Sequence, residues 1–350
     1  MKQGYILGLF LVMFLLPGCY RKTAQKVTPE IKDGRYDTKF PYRQCSAELE
    51  SISRCVRKLY SVVYYKTYYF PEETRITRKE ITSEAYKNKA LSISVSPESV
   101  SGTATVVFHE GDRLALLTCA HTLDFPDTLV SYYYKGDTDK GQEVLIKSFS
   151  LIDKQEIFIK DLPDCGTFTI LAKDPPNDIA IVGKNCKGMT GNPDLLSYPA
   201  GNAKELGWGC FIYIFGYPMG SLMITRGIVS SPNMDSLGTF MTDALFNKGF
   251  SGGIVLAVRD GVPAFELVGM IKFAFSNKDY FLRPEKDIDE YKYNSSAPYH
   301  GQQYVGTSEM IKYGVTYAVS IETIRDFYKK HRNELILNGY DMDAFFLEKK

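Results

Sequence analysis

The chain has 350 residues, 42 of them Lys or Arg and 41 Asp or Glu, so its formal net charge is +1. That balance gives no support to a nucleic-acid partner or to long-range electrostatic steering. With 44% hydrophobic and 13% aromatic residues the chain can bury a substantial core, which sets it apart from disordered proteins.

A charged start at Lys2, an apolar run from Tyr5 to Leu16 and small residues after it have the order of a secretory signal peptide over residues 1–18. The run falls short of the ~20 residues that a membrane-crossing helix needs. Export is therefore expected. Leu16-Pro17-Gly18-Cys19 resembles the lipobox of bacterial lipoproteins. The resemblance implies a lipid on Cys19 and a membrane-anchored protein facing the periplasm or the cell exterior. An ordinary signal peptide with an incidental cysteine is the alternative. Residues 19–45, with Lys22, Lys26, Pro29 and Pro41, are expected to form a flexible stalk.

If Cys19 carries lipid, six of the seven cysteines remain: Cys45, Cys55, Cys119, Cys165, Cys186 and Cys210. In an oxidising compartment they allow up to three disulfides in about fifteen pairings, and Cys45 with Cys55 could close a small loop. No CxxC pair and no HExxH occurs, so neither a metal site nor a cofactor is expected.

Ala47 to Tyr60 has apolar spacing compatible with a short helix, and Ser61 to Phe70 is β-branched and aromatic, as in a strand. A charged segment follows from Pro71 to Lys89. Beyond it, short alternating runs such as ALSISV, GTFTILA and DIAIVG are each bounded by Gly, Pro, Asp or Asn, and the second half repeats the style. The spacing predicts an all-β barrel or sandwich. Tyr64-Tyr65, Tyr68-Tyr69 and Tyr132 to Tyr134 read as strand-surface packing rather than as stacking platforms for single-stranded nucleic acid. Ser320 to Leu337 has the period of a closing amphipathic helix.

Three residues carry chemistry, in the order His121, Asp178 and Ser251. His121 ends an apolar strand in LALLTCAHTL, Asp178 opens one in DPPNDIAIVG, and Ser251 lies among glycines in NKGFSGGIVL. A lone histidine or aspartate in such a place is more often structural than catalytic. A serine hydroxyl is a poor nucleophile near neutral pH and needs an imidazole to take its proton. A buried carboxylate then has to hold that imidazole in the right tautomer. Glycines let two backbone N–H groups, here those of Gly249 and Ser251, point at a developing oxyanion.

His, Asp and Ser in this order, within TCAH, DIAIV and GFSGG, resemble the trypsin-like serine proteases, most closely the HtrA (Deg) branch. Supporting segments run from SGTATVVF at Ser101 to YGVTYAVSIETI at Tyr313. The resemblance implies two perpendicular six-stranded antiparallel β-barrels with the active site between them. The first, over 46–187, would carry His121 and Asp178. The second, over 188–337, would carry Ser251 and the closing helix, with a tail over 338–350. The implied activity is a serine endopeptidase acting on protein or peptide substrates. Too few residues follow Ile324 for the PDZ domain usual in that branch. Phe250 stands where trypsin-like zymogens have the aspartate that binds a new N-terminus. Leu245 occupies the main primary-pocket position and Phe273 and Ala274 the strand lining the cleft, which implies an uncharged pocket. Segments 135–160 and 277–312 are enlarged, the second polar and loop-like. Lys272 points either at Asp178 or at solvent. An inactive protease-fold scaffold and an esterase are the competing readings, and the oligomeric state stays open.

Overall fold

A computed structural model describes residues 32–41, 43–133, 144–189, 193–284, 294 and 296–347. Cys19 and the proposed leader lie outside the described residues. The expected helix over 47–60 is shorter than its spacing implies: α1 spans Ser46–Ser53, and the chain then enters strand β1, Val56–Tyr69. The reason is tertiary. Leu59 faces Gly102 on one side and Ile159 on the other, so pairing with two neighbouring strands overrides the local helical pattern.

Helix α2, Arg78–Thr82, lies in the charged segment and starts at a reciprocal Thr77–Glu80 capping box. Strands β2 (Ser92–Glu110), β3 (Arg113–Thr118), β4 (Thr128–Tyr132), β5 (Ile146–Ile159), β6 (Thr169–Asp174) and β7 (Ile179–Asn185) follow. They form a seven-stranded sheet in the order β4-β5-β1-β2-β3-β7-β6. It curls back on itself at one bridge, where Phe168, just before β6, donates its N–H to Ile157 O of β5 at 2.8 Å. The first barrel is thus closed by a single bridge rather than a full ladder, with β4 as a seventh strand added outside on β5. The second unit closes completely. Strands β8 (Phe211–Gly216), β9 (Met223–Ser231), β10 (Phe240–Thr242), β11 (Ile254–Val258), β12 (Phe265–Pro284) and β13 (Gln303–Ser320) form a barrel in the order β10-β13-β12-β11-β8-β9. This is the chymotrypsin-like two-barrel architecture.

Helix α3, Ile321–Leu337, closes the chain as its period predicts. The Ser320 hydroxyl accepts from Thr323 N at the N-cap, and Ile321, Ile324, Phe327 and Tyr328 are buried. The expected tail is docked. Helix α4, Asp343–Phe346, buries Phe346, and Asp343 accepts from Arg332 and Tyr328. The expected stalk is also held at its inner end, where Tyr36 is buried beneath Arg259 and Asp37 bonds through its backbone to Val258 and Phe211. One buried cluster joins Ala115, Leu117 and Ile181 of the first barrel to Ile212, Leu256 and Met270 of the second. The floor between the barrels is therefore close-packed apolar matter that holds the two sheets as one frame.

Two further expectations need correction. Segment 277–312 is strand rather than loop at both of its ends: β12 and β13 stay paired out to Pro284 and Gln303 as a long arm. The arm stands clear of the barrel, so Tyr280 and Leu282 are exposed and so are Asp279 and Phe281 opposite them. With both faces in solvent there is no alternation to read. Among the described cysteines one disulfide forms, Cys165–Cys186, while Cys45, Cys55, Cys119 and Cys210 are buried thiols. The Cys45–Cys55 loop is absent because α1 runs between them. A helix rises about 1.5 Å per residue, which carries its two ends well beyond the ~7 Å limit for a disulfide.

The Cys165–Cys186 bridge spans 21 residues and ties the base of the β6–β7 hairpin. By loop-closure entropy such a bridge stabilises by about 3 kcal/mol. Replacing both cysteines by serine should lower the urea-unfolding free energy by that order while leaving the circular dichroism spectrum unchanged.

Candidate active site

Asp178 is held by the turn between β6 and β7. Asp174 accepts from Asn177 through backbone and side chain, and Asp178 N donates to Pro175 O at 3.1 Å. Asp178 itself adopts φ +62°, a left-handed conformation that Asp tolerates better than most residues, and it is buried. The turn aims its carboxylate at the end of β3. There a short 3-10 turn, Ala120–Thr122, brings His121 round. Asp178 Oδ1 accepts from His121 N and Oδ2 meets His121 Nδ1, each at 2.8 Å. This two-point grip fixes the ring and favours the Nδ1–H tautomer. The ring is 45% exposed, and Nε2 has no partner among the described residues.

Ser251 rests on the glycine loop between β10 and β11. Phe250 N donates to Asn247 O at 3.1 Å and Gly253 N to Phe250 O at 2.7 Å, which folds the loop into consecutive turns. Gly249 has φ +106°, and a side-chain carbon there would fall 2.3 Å from Tyr217 O, so both its conformation and its surroundings require glycine. The buried hydroxyl of Thr103 donates to Gly249 O at 2.7 Å and accepts from Tyr217 N at 2.9 Å, while Thr103 N donates to Ser251 O at 2.8 Å. With their carbonyls held this way, the N–H groups of Gly249 and Ser251 are without a partner among the described residues. Phe250 is buried, 6.4 Å from the Phe246 ring.

The serine loop and the histidine turn share one neighbour. A carbon on Gly102 would fall 2.7 Å from Thr122 Cγ2 and 3.2 Å from Ser251 O. Gly252 in turn is packed against Cys119 N and Thr103 O. No hydrogen bond joins Ser251 to His121. The Ser251 hydroxyl is turned to Lys272 O, at a long 3.5 Å. His121 and Asp178 are thus brought together as a hydrogen-bonded pair, with Ser251 beside them and its hydroxyl directed elsewhere.

Two contributors were not singled out from sequence. Thr103 sits inside SGTATVVF, where nothing distinguishes it from the neighbouring strand threonine at 105. Cys119, in TCAH, places its Sγ 3.2 Å from Ile271 O and beside Asp178. Burial, and then the Asp178 charge, push its thiol well above the ordinary range, so it stays protonated. Cys119, His121 and Asp178 bring ligand-type atoms within 4.8 Å of one another. A protonated thiol and a carboxylate already committed to His121 make a poor cage for a metal.

Lys272 lies at a register shift in β12, between Ile271 and Phe273. Its Nζ donates to Pro176 O at 3.4 Å, so it caps the Asp178 turn rather than meeting the carboxylate. Leu245 is 54% exposed. Phe273 is partly exposed and stacks on Tyr317 with centroids 5.0 Å apart, and Ala274 is half-buried beside it. Phe273, Lys272, Asn177 and Tyr317 line a cavity of about 240 Å³ next to the Asp178 turn, and Leu245 does not reach it.

Residues 102–270 match the family model of the trypsin-like peptidase domain. No curated protein matches the chain. Among solved structures it is similar to the HtrA-type protease AlgW with a decapeptide, at 17% identity and a TM-score of 0.43, over 85% of this chain and 68% of that one. It is also similar to AlgW with a tripeptide, at 18% and 0.41, over 85% and 65% of the two chains. A serine endoprotease from Yersinia pestis aligns at 13% and 0.38, over 84% and 68%. The matched segment contains the elements that present His121, Asp178 and Ser251, so it is over residues 102–270 that the chain is similar to a trypsin-like peptidase domain.

Proposed function

We propose that the protein is a serine endopeptidase that hydrolyses peptide bonds of proteins through an acyl-enzyme on Ser251. The observation that carries this reading is the grip of Asp178 on both the backbone and Nδ1 of His121, beside two N–H groups, at Gly249 and Ser251, with no partner among the described residues. Rotation about the serine Cα–Cβ bond takes Oγ from Lys272 O toward His121 Nε2. His121 then accepts the hydroxyl proton as Oγ adds to the scissile carbonyl, and Asp178 stabilises the imidazolium. The Gly249 and Ser251 amides receive the oxyanion. Collapse expels the amine, which leaves with the proton from His121. Water then repeats the sequence in reverse to free the acid and regenerate Ser251.

The resting direction of the Ser251 hydroxyl favours a second reading, an inactive protease-fold scaffold. A fluorophosphonate probe separates the two. The endopeptidase is labelled on Ser251, slowly in His121→Ala and not at all in Ser251→Ala; a scaffold takes up no label. With peptide substrates, Ser251→Ala and His121→Ala should each cost about 10⁴-fold or more in kcat, and the double variant scarcely more than either. Gly249→Ala should cost about 10²-fold or more, as expected for a lost oxyanion donor.

Leu245, Phe273 and Ala274 offer no carboxylate to pair with a substrate Arg or Lys, and a buried charge needs one. The residue before the scissile bond should therefore be uncharged and aliphatic, with discrimination of about 1–3 kcal/mol per methylene. A peptide-library profile dominated by cleavage after Arg or Lys would overturn that assignment.

For localisation, the lipobox-like segment leads us to place a lipid on Cys19, anchoring the mature protein to a membrane outside the cytoplasm. Two or more acyl chains hold a protein stably where one binds marginally. Cys19→Ala should release the protein from the membrane fraction or block its maturation, and unchanged fractionation would rule the anchor out.

A further inference from the structure

Strands β1 and β5 set two lysines opposite one another at the seam of the barrels. Leu59 is paired with Ile159, and one step further Lys160 N donates to Lys58 O at 2.8 Å. Lys58 and Lys160 are therefore direct cross-strand neighbours with their side chains on one face. On its other side Lys58 is paired with Thr103, whose side chain leaves the same face to reach Gly249 O and Tyr217 N of the second barrel. The two ammonium groups thus flank the turn at 217–220. Lys160 Nζ is 5.7 Å from the centre of the Tyr217 ring, and a side-chain carbon on Gly220 would fall 2.6 Å from Lys58 Nζ. That turn backs onto the serine loop, since Tyr217 O and Pro218 Cα leave no room for a side chain at Gly249. With one strand spacing of about 4.8 Å from β1 to β2 and another from β2 to the serine loop, the pair lies roughly 10 Å from Ser251.

Like charges directly opposite on a sheet are destabilising. Nothing in the protein compensates this pair: among the described residues neither ammonium has a carboxylate partner, and Lys58 rests on the Tyr60 ring, 4.4 Å from its centre. Asp161, the residue after Lys160, forms no ion pair with either lysine, and Glu156, further along the same face, is taken by Lys154 at 3.2 Å. Beside the pair the surface is aromatic, with Tyr60 opposite Phe158 and the two 37% and 38% exposed. A pairing rule broken next to a reactive loop, with the repulsion left unbalanced, marks a place that an outside negative charge completes.

We propose that Lys58 and Lys160 bind an acidic side chain of the polypeptide substrate, about three residues from the scissile bond. The inference rests on the endopeptidase reading above, and adds to the uncharged pocket at Leu245 a demand for negative charge elsewhere in the substrate. A carboxylate bound by both ammonium groups gains charge-assisted hydrogen bonds and relieves their mutual repulsion in the same step. Tyr60 and Phe158 pack against the apolar stem of that side chain. Three extended residues cover about 10 Å, which matches the separation from Ser251. An acidic peptide suits the site better than a nucleic acid does, because the net charge of the chain is +1 and the cationic feature is one pair rather than a track.

The test uses the full chain and peptides that share one cleavage sequence. A single glutamate is moved through about four residues on either side of the scissile bond, each time against glutamine at the same place. One position, on one side only, should raise kcat/KM about tenfold, as a charge-assisted hydrogen bond does, and the gain should lie in KM. About 0.5 M NaCl should remove most of it. Lys58→Met and Lys160→Met keep the stems and should each bring the glutamate-to-glutamine ratio toward one, whereas Lys160→Arg should retain it. Each methionine variant should unfold in urea at the wild-type midpoint or above it, because it relieves the like-charge pair. A gain spread evenly over all positions, a gain that survives the double Lys58→Met, Lys160→Met variant, or a lowered urea midpoint in the single variants overturns the proposal. So does a short oligonucleotide or a phosphatidylglycerol vesicle that displaces the glutamate peptide from Ser251→Ala better than a free glutamate peptide of equal charge, because another polyanion is then the occupant. Anisotropy of labelled glutamate and glutamine peptides on Ser251→Ala keeps the two readings apart. Tighter binding of the glutamate peptide without cleavage by the wild type would sink the endopeptidase reading, and cleavage indifferent to the glutamate sinks this one.

Discussion

The buried side chain of Thr103 is the junction on which the site depends. It lies at the seam of the two barrels, and from one residue three bonds reach Gly249 O, Tyr217 N and Ser251 O. Its own carbonyl accepts from the Thr118 hydroxyl at the end of β3. The serine loop, the strand end at Tyr217 and the strand that delivers His121 are therefore referenced to a single point. Each buried polar group left unpaired there would cost about 1–3 kcal/mol. The same bonds hold the Gly249 and Ser251 carbonyls inward, and the N–H groups of these two residues have no partner among the described residues.

Around that junction the barrels divide the work. The first supplies the His121–Asp178 pair from two turns, at β3 and at β6–β7. The second supplies the Ser251 loop and the wall formed by β12. The apolar cluster shared by Leu117, Ile181, Leu256 and Met270 prevents the halves from sliding past one another, so a distance of a few ångströms across the seam is kept by packing rather than by the polar groups themselves. Lys272 and Cys119 act at the periphery of Asp178. One caps the Pro176 carbonyl of its turn, and the other fills the space behind its carboxylate with a neutral, protonated thiol.

The fold was legible where burial imposes a pattern. DIAIVG and CFIYIFG read as strands because they lie in the interior, and Ser320 to Leu337 reads as a helix because one face is buried and Ser320 caps it. It was illegible where the pattern is absent or misleading. The β12–β13 arm is solvated on both faces, and Val56 to Tyr60 has helical spacing while sitting between two paired neighbours. His121, Asp178 and Ser251 stood out because their chemistry restricts residue type and order. Thr103 did not, since a threonine in a strand is ordinary until its partners are known. Cysteine pairing was likewise a matter of three-dimensional distance, and α1 holding Cys45 and Cys55 apart has no signature in their spacing.

The most direct measurement is intact-protein mass spectrometry during turnover of an activated ester or peptide, followed by mapping of the modified peptide. The account predicts a transient acyl adduct on Ser251 that decays at the rate of hydrolysis and forms far more slowly when His121 is replaced by alanine. Hydrolysis with no adduct on Ser251, or an adduct that maps to another residue, would contradict it.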